Sequence, residues 1–302
     1  MINVLITGMT GFVGQNLHKH LSCQGIFNIN SLDIRNPYSS SDLNNFAAVI
    51  HLAGKAHDVK NVSEPEEYHR VNFGKTKELF DAFLNSDCKD FIYFSSVKAV
   101  RDVVVGELTE DVEPSPQSPY GKSKLLAEQH IAHSQLPAGK RAIILRPCMI
   151  HGAGNKGNLN LLYKIVQNGI PYPLGSFKNL RSFLSIDNLL YVIERLLRDS
   201  SVPSGVYNLA DDLPLGTNEV IMIMAEASNC KPHIWNMSPK LIVSLARLGD
   251  KLNLPFNSER LQKLTESFVV SNVKIKRALN ISHFPTSSKE GLMFTTRSFR
   301  LN

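Results

Sequence analysis

Tyr120 and Lys124 are the residues of this sequence whose types and spacing best suit proton transfer. They stand four positions apart in a segment with a helical pattern, so both side chains lie on one face of the predicted helix. A free phenol has a pKa of about 10, which is too high for an efficient base near neutral pH. A neighbouring ammonium group favours the phenolate and lowers that pKa. The pair therefore predicts a tyrosine that exchanges a proton with a substrate hydroxyl.

Ser96 ends an apolar run, residues 91–96, that is typical of a buried strand. Its hydroxyl is expected to hydrogen-bond the same substrate oxygen as Tyr120, so Ser96, Tyr120 and Lys124 are the predicted catalytic residues. An exposed helix start is the alternative interpretation of Tyr120 and Lys124, because the preceding Ser118-Pro119 is typical of a helix N-terminus.

A glycine-rich turn near the start of the chain is the second feature that could do chemistry, because it suggests a binding site for an anionic cofactor. Gly8, Gly11 and Gly14 follow a short apolar, β-branched run and precede a helical pattern. Such a strand–turn–helix unit points free backbone N–H groups at an anion, and glycine lets the backbone approach phosphate groups closely. The turn, with Phe12 and Val13 at the helix start, predicts a dinucleotide site. An ordinary tight turn is the alternative.

Asp33 ends the next predicted strand, about twenty residues beyond the glycines, where a ribose-binding carboxylate is expected. Arg35 follows two residues later, and a guanidinium there suits a 2′-phosphate, so NAD and NADP both remain open as the cofactor. The nicotinamide carries the hydride, and the protein supplies geometry and acid–base chemistry. These features together predict a nicotinamide-dependent oxidoreductase.

Size and composition are ordinary for a globular protein: 302 residues, of which 43% are hydrophobic and 20% charged. The formal net charge is +6, with Lys and Arg scattered along the chain. This favours attraction to an anionic substrate over nucleic-acid binding, which requires a clustered stripe. The four cysteines are far apart and indicate neither a metal site nor a disulfide framework, as expected in the cytoplasm. We expect no secretory leader and no membrane span.

Alternating strand and helix patterns in the first half of the chain predict an α/β fold, a doubly wound parallel sheet of the Rossmann type. Ligands of such a sheet collect at the carboxyl ends of its strands. The last third of the chain is mainly helical in pattern. We therefore expect a dinucleotide-binding domain at 1–155 with return segments near 181–212. A smaller, mainly helical C-terminal substrate lobe is expected from 156–180 and 213–302.

With these residues in place, the chain resembles the extended short-chain dehydrogenases/reductases, in the NAD-dependent epimerase/dehydratase family. The resemblance covers most of the chain and rests on these motifs: Gly8-x-x-Gly11-x-x-Gly14, His51-Leu52-Ala53-Gly54, Asn72, Ser96, Tyr120-x-x-x-Lys124, Arg146-Pro147 and the segment from Arg181 to Asp187. It implies cofactor contacts from a further set of residues, beside Tyr120 and Lys124: Leu52, Ala53, Gly54, Asn72 and Pro147. It also implies that Arg181 binds the nucleotide diphosphate, through charge-assisted hydrogen bonds.

The sequence departs from the family pattern in three places. Lys98 and the residues after it replace the usual Val-Tyr-Gly that follows the catalytic serine, and His151 replaces a tyrosine. The stretch from Asp33 to Val49 is short, so one βα unit is expected to be missing. The residues expected around the substrate are Ser96, Lys98, Met149, His151, Asn158 and Arg181.

The resemblance is closest to the branch that acts on bacterial surface-polysaccharide sugars, and it implies chemistry at C4 of a nucleotide-linked sugar, with UDP as the expected nucleotide. Because Cys148 and Met149 make part of the pocket wall apolar, we expect a 4-ketoreductase of a 6-deoxy-4-keto N-acetylhexosamine. A UDP-sugar 4-epimerase, of the UDP-glucose or UDP-N-acetylglucosamine type, is the alternative because the same triad serves both reactions. A dinucleotide-sensing regulator is a remote alternative, since a sensor needs no proton relay. The resemblance also implies a homodimer formed through a pair of helices.

Four further features have two interpretations each. His51 is expected to be a packed core histidine rather than a base. His151 is a core residue or a substrate contact, and Asn158 holds a phosphate or begins a helix. Leucines recur at helical spacing in Leu241, Leu245, Leu248 and Leu252. We expect that helix to pack against its own lobe, with a membrane-surface helix as the alternative.

Overall fold

A parallel sheet covered by helices on both faces forms the first two thirds of the computed structural model. The structure describes residues 1–55, 64–155, 157–252, 254 and 256–300, and only the backbone of Asn158. The strands are β1 Ile2–Thr7, β2 Phe27–Leu32, β3 Ala48–His51, β4 Asp90–Phe94, β5 Glu107–Leu108, β6 Arg141–Pro147, β7 Met149–His151, β8 Leu180–Arg181, β9 Phe183–Ser185, β10 Gly205–Leu209, β11 Leu215–Gly216 and β12 Val269–Val270.

In the sequence, helices alternate with the strands of the main sheet, and further helices make up most of the last third of the chain. They are α1 Phe12–Cys23, α2 Pro65–Tyr68, α3 Lys75–Leu84, α4 Pro119–His133, α5 Asn158–Gln167, α6 Ile186–Arg198, α7 Thr217–Ser228, α8 Pro239–Lys251, α9 Ser258–Thr265, α10 Val273–Ala278 and α11 Ser288–Ser298. A π-helical segment, His69–Gly74, joins α2 to α3, and short 3₁₀ turns lie at Ser40–Leu43 and Val97–Ala99.

The main sheet has six parallel strands in the order β2-β1-β3-β4-β6-β10. The chain moves outward from β1 to β2 and then returns to place β3 on the other side of β1, so the strand order reverses between β1 and β3. A crevice at the carboxyl ends of these two strands is where a doubly wound sheet binds its ligand. The predicted fold class is confirmed.

The expected loss of one βα unit is also confirmed. The described residues between β2 and β3 form one 3₁₀ turn, Ser40–Leu43, and no strand. As a result β2 is the edge of the sheet, and its outer side is not covered by a further strand.

Successive side chains of the buried strands belong alternately to two separate apolar clusters. Val4 and Ile6 of β1 point to one face and Leu5 to the other, which is the period of two expected of a strand. Helices α1 and α6 cover the first face, and α3 and α4 cover the second. Both faces are buried, as a parallel sheet requires.

A third cluster of buried side chains joins α5, α7, α8, α9 and α11. This grouping corresponds to most of the lobe predicted from 156–180 and 213–302. Residues 270–284 differ, because Val270, Ile275, Leu279 and Phe284 pack into the first cluster, against the sheet.

Helix α8 packs onto this third cluster, but not through the leucines. Ile242 and Ala246 are its buried side chains, whereas the stripe Leu241, Leu245, Leu248 and Leu252 is 44–59% exposed. The expectation that this helix packs against its own lobe is therefore confirmed, although the four leucines are not the residues that make the contact. The leucine spacing identified the helix correctly, but a second apolar row, one residue out of phase, makes the contact with the lobe.

Candidate functional site

The glycine turn after β1 is a close-fitting cradle. Gly8 has a φ of +72°, and a Cβ placed on it would lie 2.6 Å from the Ala53 backbone nitrogen. A Cβ on Gly14 would lie 2.4 Å from the Gly8 carbonyl oxygen. Glycine is therefore required at both positions, since the turn brings β1, α1 and the end of β3 into direct backbone contact.

The start of α1 suits an anion. The N-cap is Gly11, which has no side-chain cap, and the first turn carries no acidic residue. The first N–H groups of a helix have no intrahelical partner, so those of Phe12 and Val13 are free to bind a pyrophosphate. The predicted dinucleotide cradle thus fits the backbone that the structure shows.

Asp33 and Arg35 form an ion pair at the carboxyl end of β2. Arg35 donates from Nε and Nη2 to the Asp33 carboxylate at 2.9 and 2.7 Å, and these hydrogen bonds lower the pKa of Asp33 to about 2. A surface cleft of about 320 Å³ beside the pair is lined by Arg35, Tyr38, Lys75 and Glu78, among others. The Asp33 carboxylate suits a ribose hydroxyl, and the cations Arg35 and Lys75 suit a 2′-phosphate. Both NAD and NADP are therefore compatible with this end of the site.

His51 is a core residue, as predicted. It is fully buried, and its ring lies 2.7 Å from the Thr7 hydroxyl and 2.9 Å from the Thr76 hydroxyl. Burial lowers its pKa to about 3, with a further contribution from Lys124, so the ring is neutral. Because Thr7 also accepts a hydrogen bond from the Ala53 N–H at 3.2 Å, His51 holds the end of β3 beside the glycine cradle.

Asn72 braces the loop after β3. Its Oδ1 accepts from the Lys55 N–H at 2.7 Å, and its Nδ2 donates to the Lys55 carbonyl and to the Ser123 hydroxyl, both at 3.1 Å. It lies in the π-helical segment, a rare conformation that recurs at functional sites. A Cβ on Gly54 would come within 3.0 Å of Asn72 Oδ1. Asn72 is fully buried, so it shapes the cofactor side of the site from behind, and a direct cofactor contact remains a prediction.

The three predicted catalytic residues lie together. Ser96 directly follows β4 and caps the 3₁₀ turn Val97–Ala99, and it lies close enough to the Tyr120 side chain to lower the pKa of the phenol. Ser118 caps α4 through the Gly121 N–H, with Pro119 in the first turn, which fixes Tyr120 and Lys124 at the start of the helix. Lys124 is buried, and its Nζ donates to the Phe94 carbonyl at 2.7 Å.

The protonation of this group differs from the expectation in one respect. We expected the Lys124 ammonium to lower the pKa of Tyr120, but burial raises the pKa of Tyr120 above its ordinary value, and the interaction with Ser96 only partly opposes this. Burial also lowers the pKa of Lys124 to about 8, against the attraction of Glu128. The ammonium donates to the Phe94 carbonyl and lies 4.9 Å from the centre of the Tyr93 ring.

A buried ionic network beneath Lys124 was missed in the sequence. Glu128 accepts two hydrogen bonds from Arg146 Nε, at 2.9 and 3.1 Å, one from Arg146 Nη2 at 2.5 Å, and one from the Ser95 hydroxyl. The side chains of Glu128 and Arg146 are 4% and 5% exposed. The available signal was the spacing, because Glu128 lies four residues beyond Lys124 and so on the same face of α4.

Lys98 and Arg181 face a common region next to the triad. Lys98 donates to the Asp102 carbonyl at 2.8 Å, and its Nζ lies 4.7 Å from the centre of the Phe268 ring. Arg181 donates to the carbonyls of Lys263 and Glu266, at the end of α9. Burial lowers the pKa of Lys98, the carboxylates of Asp102 and Glu266 oppose that effect, and the weaker effects of Arg181 and Lys263 add to it. Cations and carboxylates therefore lie together in this region.

Met149 and Pro147 follow the same sheet edge as Ser96, because β6 pairs with β4 and ends at Pro147. Met149 is 36% exposed, while Cys148 is buried and burial raises the pKa of its thiol well above the ordinary value. Asn158 is the first residue of α5, and its side chain lies outside the described part of the structure. Met149 therefore has a partly exposed apolar side chain beyond this sheet edge, and its contact with a substrate remains a prediction.

His151 is not at the pocket, and its prediction as a substrate contact was wrong. Its side chain is fully enclosed, with Nδ1 2.8 Å from the Thr295 hydroxyl and Nε2 3.6 Å from the Asp211 carboxylate. Packing of α11 over β7 and β9 encloses the ring, since a Cβ on Gly291 of α11 would lie 3.4 Å from it. The alternative interpretation, a core histidine, is the one that the structure shows.

The chain is similar to known proteins. Residues 4–210 match the model of the NAD dependent epimerase/dehydratase family. The chain belongs to the NAD-dependent epimerase/dehydratase family. It is 29% identical to a UDP-glucose 4-epimerase of Vibrio cholerae, over 98% of this chain and 95% of that protein. It is 27% identical to the N-acetyl-alpha-D-glucosaminyl-diphospho-ditrans,octacis-undecaprenol 4-epimerase of Escherichia coli O157:H7, over 93% and 87% of the two chains.

The fold is shared with solved structures as well. RMD from Pseudomonas aeruginosa complexed with NADPH aligns over 100% of both chains, with a TM-score of 0.75 and 21% identity. The predictions of an extended short-chain dehydrogenase-type enzyme and of NAD or NADP as its cofactor are confirmed. None of the described helices is both long and apolar enough to cross a membrane. Within the described residues no group of three or more His, Cys, Asp or Glu side chains is placed to hold a metal ion.

Proposed function

We propose that this enzyme reduces the 4-keto group of a UDP-linked 6-deoxy-4-keto N-acetylhexosamine. The observation that carries the proposal is the position of the triad: Ser96 lies close enough to the Tyr120 side chain to influence its pKa, and Lys124 lies beside Gly54 in the loop after β3. An apolar side chain, Met149, follows the same sheet edge. A sugar that lacks the C6 hydroxyl leaves no polar group to desolvate against that side chain.

In this mechanism the sugar binds with its C4 oxygen between the Ser96 and Tyr120 hydroxyls. Ser96 orients that oxygen by a hydrogen bond, and Tyr120 donates the proton that the reduced oxygen requires. The bound dinucleotide supplies the hydride. Lys124 holds a positive charge within the site, which supports the phenolate that remains on Tyr120 after the proton has left. The raised pKa of Tyr120 in the ligand-free protein keeps the phenol protonated before the reaction.

The nucleotide diphosphate is proposed to bind at Lys98 and Arg181. The two side chains share the region between the triad and the end of α9, and they are held in place by backbone carbonyls rather than by direct carboxylate hydrogen bonds. A diphosphate can therefore compete for their charges without breaking a strong carboxylate bond. The Glu266 carboxylate, 3.9 Å from Arg181, is the exception, and it would lose part of its interaction when the diphosphate binds.

A 4-epimerase acting on a diphosphate-linked hexose or N-acetylhexosamine is the second candidate. The observation that favours it is the similarity, over more than nine tenths of the chain, to the two 4-epimerases from Vibrio cholerae and Escherichia coli. The same triad would then serve both directions of proton transfer, with the hydride returned to the same sugar on the opposite face. The carrier would be UDP or the undecaprenyl diphosphate named for the Escherichia coli protein.

The two candidates are separated by supplying the keto sugar with reduced dinucleotide. The proposal expects stoichiometric oxidation of NADH or NADPH with the UDP-linked 6-deoxy-4-keto N-acetylhexosamine, and no net oxidation with UDP-glucose or UDP-N-acetylglucosamine. The Tyr120→Phe variant, assayed beside the wild type, is the control for background reduction. Interconversion of UDP-galactose and UDP-glucose, or of the N-acetylated pair, without reduction of the keto sugar would reject the reductase and support the epimerase.

A further inference from the structure

Helix α8 carries an exposed apolar stripe that neither the fold nor the proposed reaction uses. Leu241, Leu245, Leu248 and Leu252 are 44–59% exposed. At 3.6 residues per turn these four leucines fall within an arc of about 60° on the helix surface. Leu254, just beyond the helix, is 48% exposed. Large apolar side chains that are exposed in a contiguous row mark interaction sites more often than isolated ones do.

A row of cations flanks this stripe. Lys240, Arg247 and Lys251 are all exposed, and the helical period places them within an arc of about 40°, beside the leucines. The buried row of α8, Ile242 and Ala246, lies on the opposite flank of the leucines. The single acid of the helix, Asp250, accepts hydrogen bonds from the Ser258 backbone and hydroxyl at the start of α9. The exposed side of α8 is therefore apolar along its centre and positive along one edge.

We infer that α8 docks on an anionic lipid bilayer surface, with the leucines in the headgroup–acyl boundary and the cations against lipid phosphates. Helices with apolar residues next to Lys and Arg bind such surfaces in the interfacial plane. Each Lys or Arg near an anionic membrane contributes about 1 kcal/mol of attraction. Long basic side chains beside a leucine row reach the phosphates while their methylene stems stay in the apolar layer.

A second copy of this chain fits the stripe less well. An antiparallel twofold pair of stripes would place both rows of cations on the same side, where like charges repel. The one acid of α8 is engaged with α9 and offers no compensating charge. Charge complementarity thus favours an anionic surface as the occupant, and self-association is an outcome that the test must detect.

Binding of the full-length protein to vesicles tests this inference. Phosphatidylcholine vesicles with and without phosphatidylglycerol are compared by co-sedimentation at low and high salt. We expect binding only to the vesicles that contain phosphatidylglycerol, and we expect it to weaken with salt. The triple variant Lys240→Gln, Arg247→Gln, Lys251→Gln should lower the partition coefficient on the order of 100-fold, since three cations each contribute about fivefold.

The apolar part of the surface needs its own variants. Leu245→Ser with Leu248→Ser should lower the partition coefficient by about tenfold or more, because two half-exposed leucines lose their apolar contact. Leu213→Ser, at a leucine that is 67% exposed outside α8, and Lys19→Gln on α1 are matched controls and should bind as the wild type does. None of the α8 residues belongs to the triad or the glycine cradle, so turnover of a water-soluble substrate should be preserved and reports that each variant is folded.

Three results would contradict the proposal that α8 docks on an anionic bilayer. One is equal binding to both kinds of vesicle, or none to either. Another is unchanged binding in both the leucine and the cation variants while turnover is intact. The third is a wild-type dimer, seen by light scattering, that the double leucine variant converts to a monomer, since the stripe would then be an interface between copies of this chain.

Discussion

The buried ammonium of Lys124 should lower the free energy of unfolding below pH 8, and the Lys124→Met variant allows that effect to be measured. Its ammonium is fully buried beside the Phe94 carbonyl, and its pKa falls from an ordinary 10.5 to about 8. Since one pKa unit corresponds to 1.36 kcal/mol, the buried charge costs about 3 kcal/mol at pH 7. Lys124→Met removes that cost but also leaves the Phe94 carbonyl without its donor, a loss of about 1–3 kcal/mol.

The dependence on pH separates these two effects. Below pH 8 Lys124 is protonated in the folded and the unfolded protein, so the cost is complete. Between pH 8 and 10.5 the folded protein loses the proton while the unfolded chain keeps it, so the cost shrinks as the pH rises. From pH 7 to pH 9.5 the free energy of unfolding of the wild type should therefore rise by about 2 kcal/mol relative to that of Lys124→Met. The lost hydrogen bond changes both measurements nearly equally.

Urea unfolding of the ligand-free wild type and of Lys124→Met at the two pH values measures this difference. Lys122→Met is the control, because Lys122 lies on the same helix and is exposed; its stability should run parallel to that of the wild type. Turnover of Lys124→Met should fall at the same time, since the charge that supports Tyr120 is gone. A difference between wild type and Lys124→Met that stays constant from pH 7 to 9.5 would refute the buried-ammonium reasoning.

Three other substitutions test the remaining parts of the site. Tyr120→Phe should lower turnover by about 10²-fold or more and leave dinucleotide binding nearly intact, as fluorescence titration would show; unchanged turnover would sink the acid–base assignment. Arg181→Ala should weaken UDP binding by about 1.5–3 kcal/mol in calorimetry, the range for hydrogen bonds to charged groups, and equal affinity would reject the diphosphate role. Arg35→Ala should shift the kcat/KM preference toward NADH by about tenfold, because a 2′-phosphate loses a charged partner; an unchanged ratio would show that Arg35 does not meet the cofactor.

Local rules were enough to predict the sheet and the triad. The strand at 91–96, the helix that contains Tyr120 and the glycine turn each have a strong local signal, and the parallel sheet then brings the strand ends together. Helix α5 begins at Asn158, which agrees with the interpretation of that residue as a helix start. The absence of a strand between β2 and β3 could be predicted because the stretch from Asp33 to Val49 is too short for a further βα unit.

The errors concern contacts between segments that are distant in sequence. His151 is enclosed by Thr295, 144 residues away, and nothing near His151 announces that α11 will cover it. The leucine spacing of α8 predicted a helix packed against its own lobe, but it did not show that a different row of that helix makes the contact, because periodicity identifies an apolar face without saying what covers it. The pKa of Tyr120 rises because of burial, which depends on the neighbours that the fold supplies.

Glu128 connects the stability of the site to its charge. The carboxylate is shared between Arg146, which it pairs with directly, and Lys124, whose ammonium it attracts from one turn away. Removing one member of a buried pair is costly because it leaves an unpaired charge, so Arg146 and Glu128 depend on each other. The pair carries no net charge of its own, yet its carboxylate end lies on the Lys124 side and opposes the effect of burial on that lysine. Burial of the Lys124 ammonium near Tyr120 therefore destabilises the fold, and Glu128, one helical turn further along α4, reduces that destabilisation.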